Sequence, residues 1–156
     1  MKNKSVAPRL EHGELTGRIL DCFFEAYGEL GHGFSEAVLR RAMAIVLEQA
    51  GMQVTQEAPL EVCFRGRSIG TFHADLIVDR TVLVEIKASA AIEGYAIAQT
   101  LNYLKVAGGG VGLLLNFGHK PEFKRLVMGE PSNSLPRLND DARSPDRCPR
   151  LDDGGS

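Results

Sequence analysis

The sequence predicts an α/β domain in which helices flank a mixed central β-sheet. Apolar residues recur with helical spacing over two early segments, and beyond Gly51 the pattern changes to short strands rich in Val and Phe. A further helical stretch then precedes Val111–Phe117, a continuous apolar run of the kind that forms a strand buried on both faces. The order helix, helix, three antiparallel strands, helix, buried strand requires a sheet with helices packed against it.

Each element has its own signal. From Glu14 to Leu30 the residues Leu15, Ile19, Leu20, Phe23, Phe24, Tyr27 and Leu30 share one helix face, and Gly31-His32-Gly33 ends it. A second helix runs from about Ser35, a suitable N-cap, to Ala50, with Gly51 as its stop. Val54–Phe64 reads as a strand, and Pro59 places it at an edge or on a bulge. Arg65-Gly66-Arg67 is a turn, Ser68–Val78 a second strand, Asp79-Arg80 a turn and Thr81–Ala88 a third strand. A third helix spans about Ile92 to Val106 and stops at Gly108-Gly109-Gly110. Pro121–Met128 fits either an edge strand or a helical turn.

The 156 residues suffice for one domain with a sizeable core. That domain is expected over 14–128, after a flexible N-terminus at 1–13. From Gly129 to Ser156 Pro, Ser, Asn, Asp, Arg and Gly dominate, which predicts a disordered tail that folding does not need. No apolar run approaches the roughly 18 residues of a membrane span, and no apolar stretch follows the basic start as in a signal peptide. The net charge of -2 weighs against non-specific grip on duplex nucleic acid while leaving room for a local basic groove. The three cysteines are far apart and imply neither a zinc site nor a disulfide framework. Cys22 and Cys63 read as core residues, Cys148 as an exposed thiol of the tail, and the setting as reducing and cytoplasmic.

The chemistry is concentrated in the hairpin Phe72–Lys87. Glu85 and Lys87 are two apart on a strand and share a face. A structural ion pair would explain those two alone; Asp75 on the neighbouring strand changes the reading if it joins them, and register decides this. A two-residue turn would pair Val78 with Thr81 and put the carboxylates on opposite faces. A three-residue loop pairs Val78 with Val82, Leu76 with Val84 and Ala74 with Ile86, gathering Leu76, Val78, Val82, Val84 and Ile86 on one face. Burial selects this register, since a one-residue slip would scatter the set. Asp75 then lies opposite Glu85, and His73 opposite Lys87 at the rim. Carboxylates held together repel unless a cation lies between them, and Mg²⁺ (or Mn²⁺) takes one or two carboxylates, waters and phosphate oxygens. A metal with an adjacent lysine supplies the parts for phosphodiester hydrolysis.

Asp75 followed by Glu85-Ile86-Lys87 resembles the catalytic signature of the PD-(D/E)XK nuclease superfamily and its restriction-endonuclease-like core. Gly33-Phe34-Ser35-Glu36-Ala37-Val38-Leu39 resembles the motif of the GxxExxY family, a branch of it. Gln99–Tyr103 and Val111–Gly118 are also similar, and the likeness covers about Glu14 to Val127. The resemblance implies that Asp75, Glu85 and the Ile86 backbone carbonyl hold the metal, that Lys87 positions the attacking water, and that Glu36 completes the acidic set. Gln99 and Tyr103, on one helix face, are implied to contact substrate or Lys87. Three departures stand out: Leu39 replaces the motif's tyrosine, Ala74 the proline of the superfamily name, and Ala96-Ile97 a histidine and glutamate common in related chains.

Two functions remain open at this point. One is a Mg²⁺-dependent nuclease acting on DNA in preference to RNA. The other is a nucleic-acid- or partner-binding module that keeps the fold without efficient catalysis. The small core leaves specificity to a homo-oligomer, a protein partner or the structure of the nucleic acid.

Overall fold

The computed structural model describes residues 13–129 together with Leu135 and Cys148. Helices α1 (Gly13–Leu30) and α2 (Glu36–Gln49) precede strands β1 (Val54–Phe64), β2 (Arg67–Val78) and β3 (Val82–Lys87). Helix α3 (Gly94–Val106) and strands β4 (Gly110–Phe117) and β5 (Pro121–Met128) follow. Ser35 caps α2 by accepting the Val38 N–H at 3.3 Å, and Gly51 leaves it at φ +90°.

The five strands form one sheet in chain order, β1-β2-β3-β4-β5, and only β3 and β4 run parallel. The parallel pair is joined through α3, as a crossover requires. Strand β4 is buried at every position, as its mostly apolar run predicts, and this includes the polar Asn116. Pro121–Met128 is the second edge strand, so the alternative of a helical turn falls. Pro59 lies on the other edge strand, β1, where a missing N–H costs the sheet little.

The loop between β2 and β3 has the predicted length. Val78 pairs with Val82 and Leu76 with Val84, while Asp79 and Arg80 adopt φ of 49° and 56° and Thr81 N–H bonds back to Val78 O at 3.0 Å. Leu76, Val78, Val82, Val84 and Ile86 accordingly share one core, under α1 and α2, with Ile19, Phe23, Leu39, Met43, Leu47 and Phe117. A second core lies against α3 and contains Ala58, Leu60, Ala74, Ile77, Leu83, Leu104 and Ala107.

The two cores show that the β1–β2 hairpin turns over along its length. Val54, Leu76 and Val78 face the first core, whereas Ala58, Leu60, Phe72 and Ala74, of the same parity, face the second. The exchange falls at Glu57 and Asp75, which lie opposite one another between the pairs Gln56↔Leu76 and Ala58↔Ala74. Glu57 takes φ 51° in mid-strand, a left-handed conformation rare for a residue with a side chain. The pairing of β2 with β3 also stops at Leu76↔Val84. The expected pair Ala74↔Ile86 therefore does not form, and His73 is not brought opposite Lys87; it is exposed.

Two readings of the C-terminal segment are corrected. Leu135, placed in the disordered tail by composition, is 3% exposed, packs into the second core and donates its N–H to Arg80 O at 3.0 Å. Cys148 is bonded to Cys63, so Cys63 is not a free core thiol nor Cys148 an exposed one. A single tail leucine and a cysteine pair 85 residues apart leave no periodic signal in sequence. The disulfide also removes the cysteine argument for a reducing, cytoplasmic setting. Among the described residues no helix is long and apolar enough to cross a membrane. Gly13, expected in the flexible N-terminus at 1–13, is the first residue of α1; the expected flexibility of 1–12 and of the rest of the tail lies outside the described residues.

Candidate functional site

Where the β2–β3 ladder ends, carboxylates replace its hydrogen bonds. Asp75 donates its backbone N–H to Glu85 Oε1 at 3.1 Å, and Asp75 Oδ2 accepts the Ile86 N–H at 2.8 Å. The side chains of Asp75 and Glu85 are thus side by side at the point where the strands part. The three-residue loop sets this register, because the apolar partners from Leu76 to Ile86 can be buried together in no other.

The electrostatics are unfavourable for two charges. Glu85 is 4% exposed, and burial together with the negative charge of Asp75 pushes its carboxyl from an ordinary 4.5 up to about 8. The Asp75 N–H and the nearby Lys87 ammonium oppose that rise. A divalent cation would relieve it. Two carboxylates and a backbone carbonyl, completed by water and phosphate oxygen, suit the all-oxygen preference of Mg²⁺, so these residues fit the ion.

Helix α3 supplies one flank. Lys87 Nζ donates to Gln99 Oε1 at 3.0 Å, which holds the ammonium beside the carboxylates. One turn further on, Tyr103 stacks on Phe72 of β2, with the ring planes 13° apart. Burial, then the negative field of Glu85, pushes its hydroxyl up to about 12, so it stays protonated near neutral pH. Lys87, Gln99 and Tyr103 are therefore brought together, as the i, i+4 spacing on α3 suggested.

Helix α2 supplies the other flank differently. Glu36 is exposed in its first turn. Among the described residues no group of three or more His, Cys, Asp or Glu side chains could hold a metal ion, so Glu36 does not complete a three-carboxylate set. Arg40, four residues on and on the same helix side, is the residue that arrives. Its guanidinium lies 3.9 Å from Asp75 Oδ1 and 3.3 Å from Glu57 Oε1. Nothing in the sequence singles out Arg40. Its one sequence signal is the spacing from Glu36, and every helix with charges four apart offers that.

A further set of polar groups anchors the chain after Lys87. Asn116, fully buried on β4 and in register with Lys87, accepts the Ser89 N–H at 2.9 Å and donates to Ser89 O at 3.0 Å. Gly118 cannot carry a side chain here: a Cβ would meet Ser89 O at 2.6 Å. Its own carbonyl accepts the Tyr27 hydroxyl at 2.6 Å, which ties α1 to the same strand end. These residues hold the exit of β3, and so Lys87, from below. Asn116 was legible only as part of the family-like run; its buried amide is explained by the loop it clamps.

The α/β sheet thus presents a paired Asp and Glu at a strand divergence, with a lysine two residues beyond the glutamate. The chain belongs to the PD-(D/E)XK nuclease superfamily, whose family model matches residues 13–126. No curated protein and no solved structure matches the chain.

Proposed function

We propose that this protein is a Mg²⁺- or Mn²⁺-dependent nuclease that hydrolyses phosphodiester bonds of DNA in preference to RNA, in the GxxExxY branch of its superfamily. The observation that carries the reading is the juxtaposition of Asp75 and Glu85, one of them too buried to ionise readily without a cation, beside an ammonium held by Gln99. Asp75, Glu85 and the Ile86 carbonyl would hold the ion. When bound, the metal would polarise the phosphoryl group and favour ionisation of the attacking water. Lys87 would hold that water in line and steady its proton loss, and Gln99 would keep the ammonium from swinging out to solvent. Tyr103, protonated and braced by Phe72, would donate to a phosphate oxygen. His73, exposed on the projecting part of β2, is left with a role on substrate only outside the carboxylate centre. Glu36 is given a supporting role on the family resemblance alone.

A second reading has an observation in its favour. Both carboxylates already accept backbone hydrogens, and Arg40 already faces Asp75, so the fold satisfies them without a metal. This is what a nucleic-acid- or partner-binding module that has lost turnover would show. A cleavage assay across single-stranded, duplex and flapped DNA and RNA, with Mg²⁺, with Mn²⁺ and with EDTA, separates the two. Metal-dependent cleavage of DNA substrates is expected. Nucleic-acid binding that needs no metal, with no cleavage in any condition, would replace the nuclease by the module.

A further inference from the structure

Arg40 is anchored in a way that a surface ion pair does not require. Its side chain is 13% exposed, and its buried Nε hydrogen has no acceptor among the described residues. The approach to Asp75, at 3.9 Å, is too long for a hydrogen bond and is a contact of charges only. Glu57 makes the closer contact, at 3.3 Å, from a side chain that is 61% exposed. A guanidinium carries five N–H groups in a planar fork, and a buried donor left unspent is unusual enough to call for an explanation.

The anchor itself is held under strain. Glu57 sits at φ 51° in the middle of β1, opposite Asp75, at the point where the hairpin turns over. Left-handed conformations at residues with side chains are strained and gather at functional sites. Here the strained residue is the one that places Arg40 over Asp75. The carboxylate pair consequently has a cation on each side, Lys87 with Gln99 from the α3 flank and Arg40 with Glu57 from the α2 flank.

We propose that Arg40 is a phosphate-contacting residue of this site, its fork aimed at the backbone of a nucleic acid lying across Asp75 and Glu85. The proposal rests on the reading above that the substrate is a nucleic acid. With a metal on the carboxylates, the charge of Asp75 is taken up by the ion. Arg40 then keeps Glu57 as its partner through Nη2 and turns the Nη1 group that faced Asp75 to the anion that the metal also draws in. A guanidinium matches two phosphate oxygens at once, which a lysine at this place would not do. Glu57 acts through Arg40 and is a positioning residue.

The test uses the full chain with Lys87→Ala, which removes turnover, and a fluorescein-labelled duplex oligonucleotide read by anisotropy in Mg²⁺ over a range of salt. Adding Arg40→Ala is expected to weaken binding about 10- to 100-fold, the range for a charged hydrogen bond, and to lower the salt slope by about one. Arg40→Lys should restore the salt slope but only part of the affinity. Glu57→Gln, which leaves the fork in place but loosens its anchor, should fall between wild type and Arg40→Ala. Calorimetry with Mn²⁺ alone should show affinity in Arg40→Ala equal to or tighter than in its parent, because a like charge has gone. Unchanged oligonucleotide affinity and salt slope in Arg40→Ala would overturn the proposal and leave Arg40 as a strut between α2 and β1. Weakened Mn²⁺ binding in the same variant would overturn it in favour of a role in shaping Asp75. If the chain without Lys87→Ala cuts nothing yet Arg40→Ala still loses binding, the nuclease reading falls and this one stands. A parent chain that binds no oligonucleotide sinks both.

Discussion

The two helices that flank the carboxylate pair meet it in opposite ways. Helix α3 brings neutral groups, Gln99 and Tyr103, of which Gln99 steadies a cation that already belongs to β3. Helix α2 brings a cation of its own, Arg40, steadied by a carboxylate from the strained edge strand. A motif read along one chain sees the first arrangement, because its key residue, Lys87, sits two positions from Glu85. It does not see the second, because Arg40, Glu57 and Asp75 meet only through the sheet. On the proposed function the α3 flank would serve the attacking water and the α2 flank the bound anion.

Removing the cation of the α3 flank gives the largest expected effect. Lys87→Ala should lower the cleavage rate by about 10²–10⁴-fold, the usual cost of losing a positioned proton-transfer group. Mn²⁺ affinity by calorimetry should hold or rise slightly, since Lys87 repels the ion. Parallel loss of Mn²⁺ affinity and rate would show that the two flanks do not divide their labour in this way.

The α3 flank also leans on Leu135. Leu135 packs in the core that contains Leu104 and Ala107 of α3. Leu135→Ala should destabilise the fold by about 2–5 kcal/mol, as for other buried leucines. Hydrogen exchange should speed up first in α3 and last in α2. A chain cut after Gly129 should melt lower for the same reason; an unchanged melting temperature would mean that Leu135 adds no stability.

Between the flanks, Glu85 predicts the pH behaviour. Its folded carboxyl is raised from 4.5 to about 8, so the folded state holds that proton more tightly than the unfolded one. The resulting stability is fully present below about 4.5 and is lost as pH rises through about 8. In EDTA, the urea midpoint should therefore fall across this window, and Glu85→Gln should flatten the slope. Saturating Mg²⁺ should flatten it too, by favouring the ionised carboxylate.

The smallest effects compare two uncharged or exposed positions directly. Gln99→Ala frees Lys87 and should lower the cleavage rate about tenfold, near the worth of one charge-assisted hydrogen bond. Glu36→Gln should change it by less than about threefold, as expected for an exposed charge without a tight partner. A large loss in Glu36→Gln, with Mn²⁺ affinity reduced, would restore Glu36 to the metal set.

The sequence alone determined the elements and the centre of the site. Apolar periodicity placed the three helices and the first four strands close to where they lie, because burial of one face selects one register, and left Pro121–Met128 open between an edge strand and a helical turn. The same physics carried Asp75 to Glu85: only a three-residue loop buries Leu76, Val78, Val82, Val84 and Ile86 together. Tertiary structure alone decided the rest. His73 and Lys87 part because the hairpin turns over at Glu57, and no local propensity announces a left-handed glutamate in mid-strand. Arg40 replaces Glu36 at Asp75 because helix position, one turn along, matters more than charge type. Leu135 and Cys148 are held by contacts with residues far away in the chain, and a segment too polar to fold by itself can still lend one leucine to a core already formed.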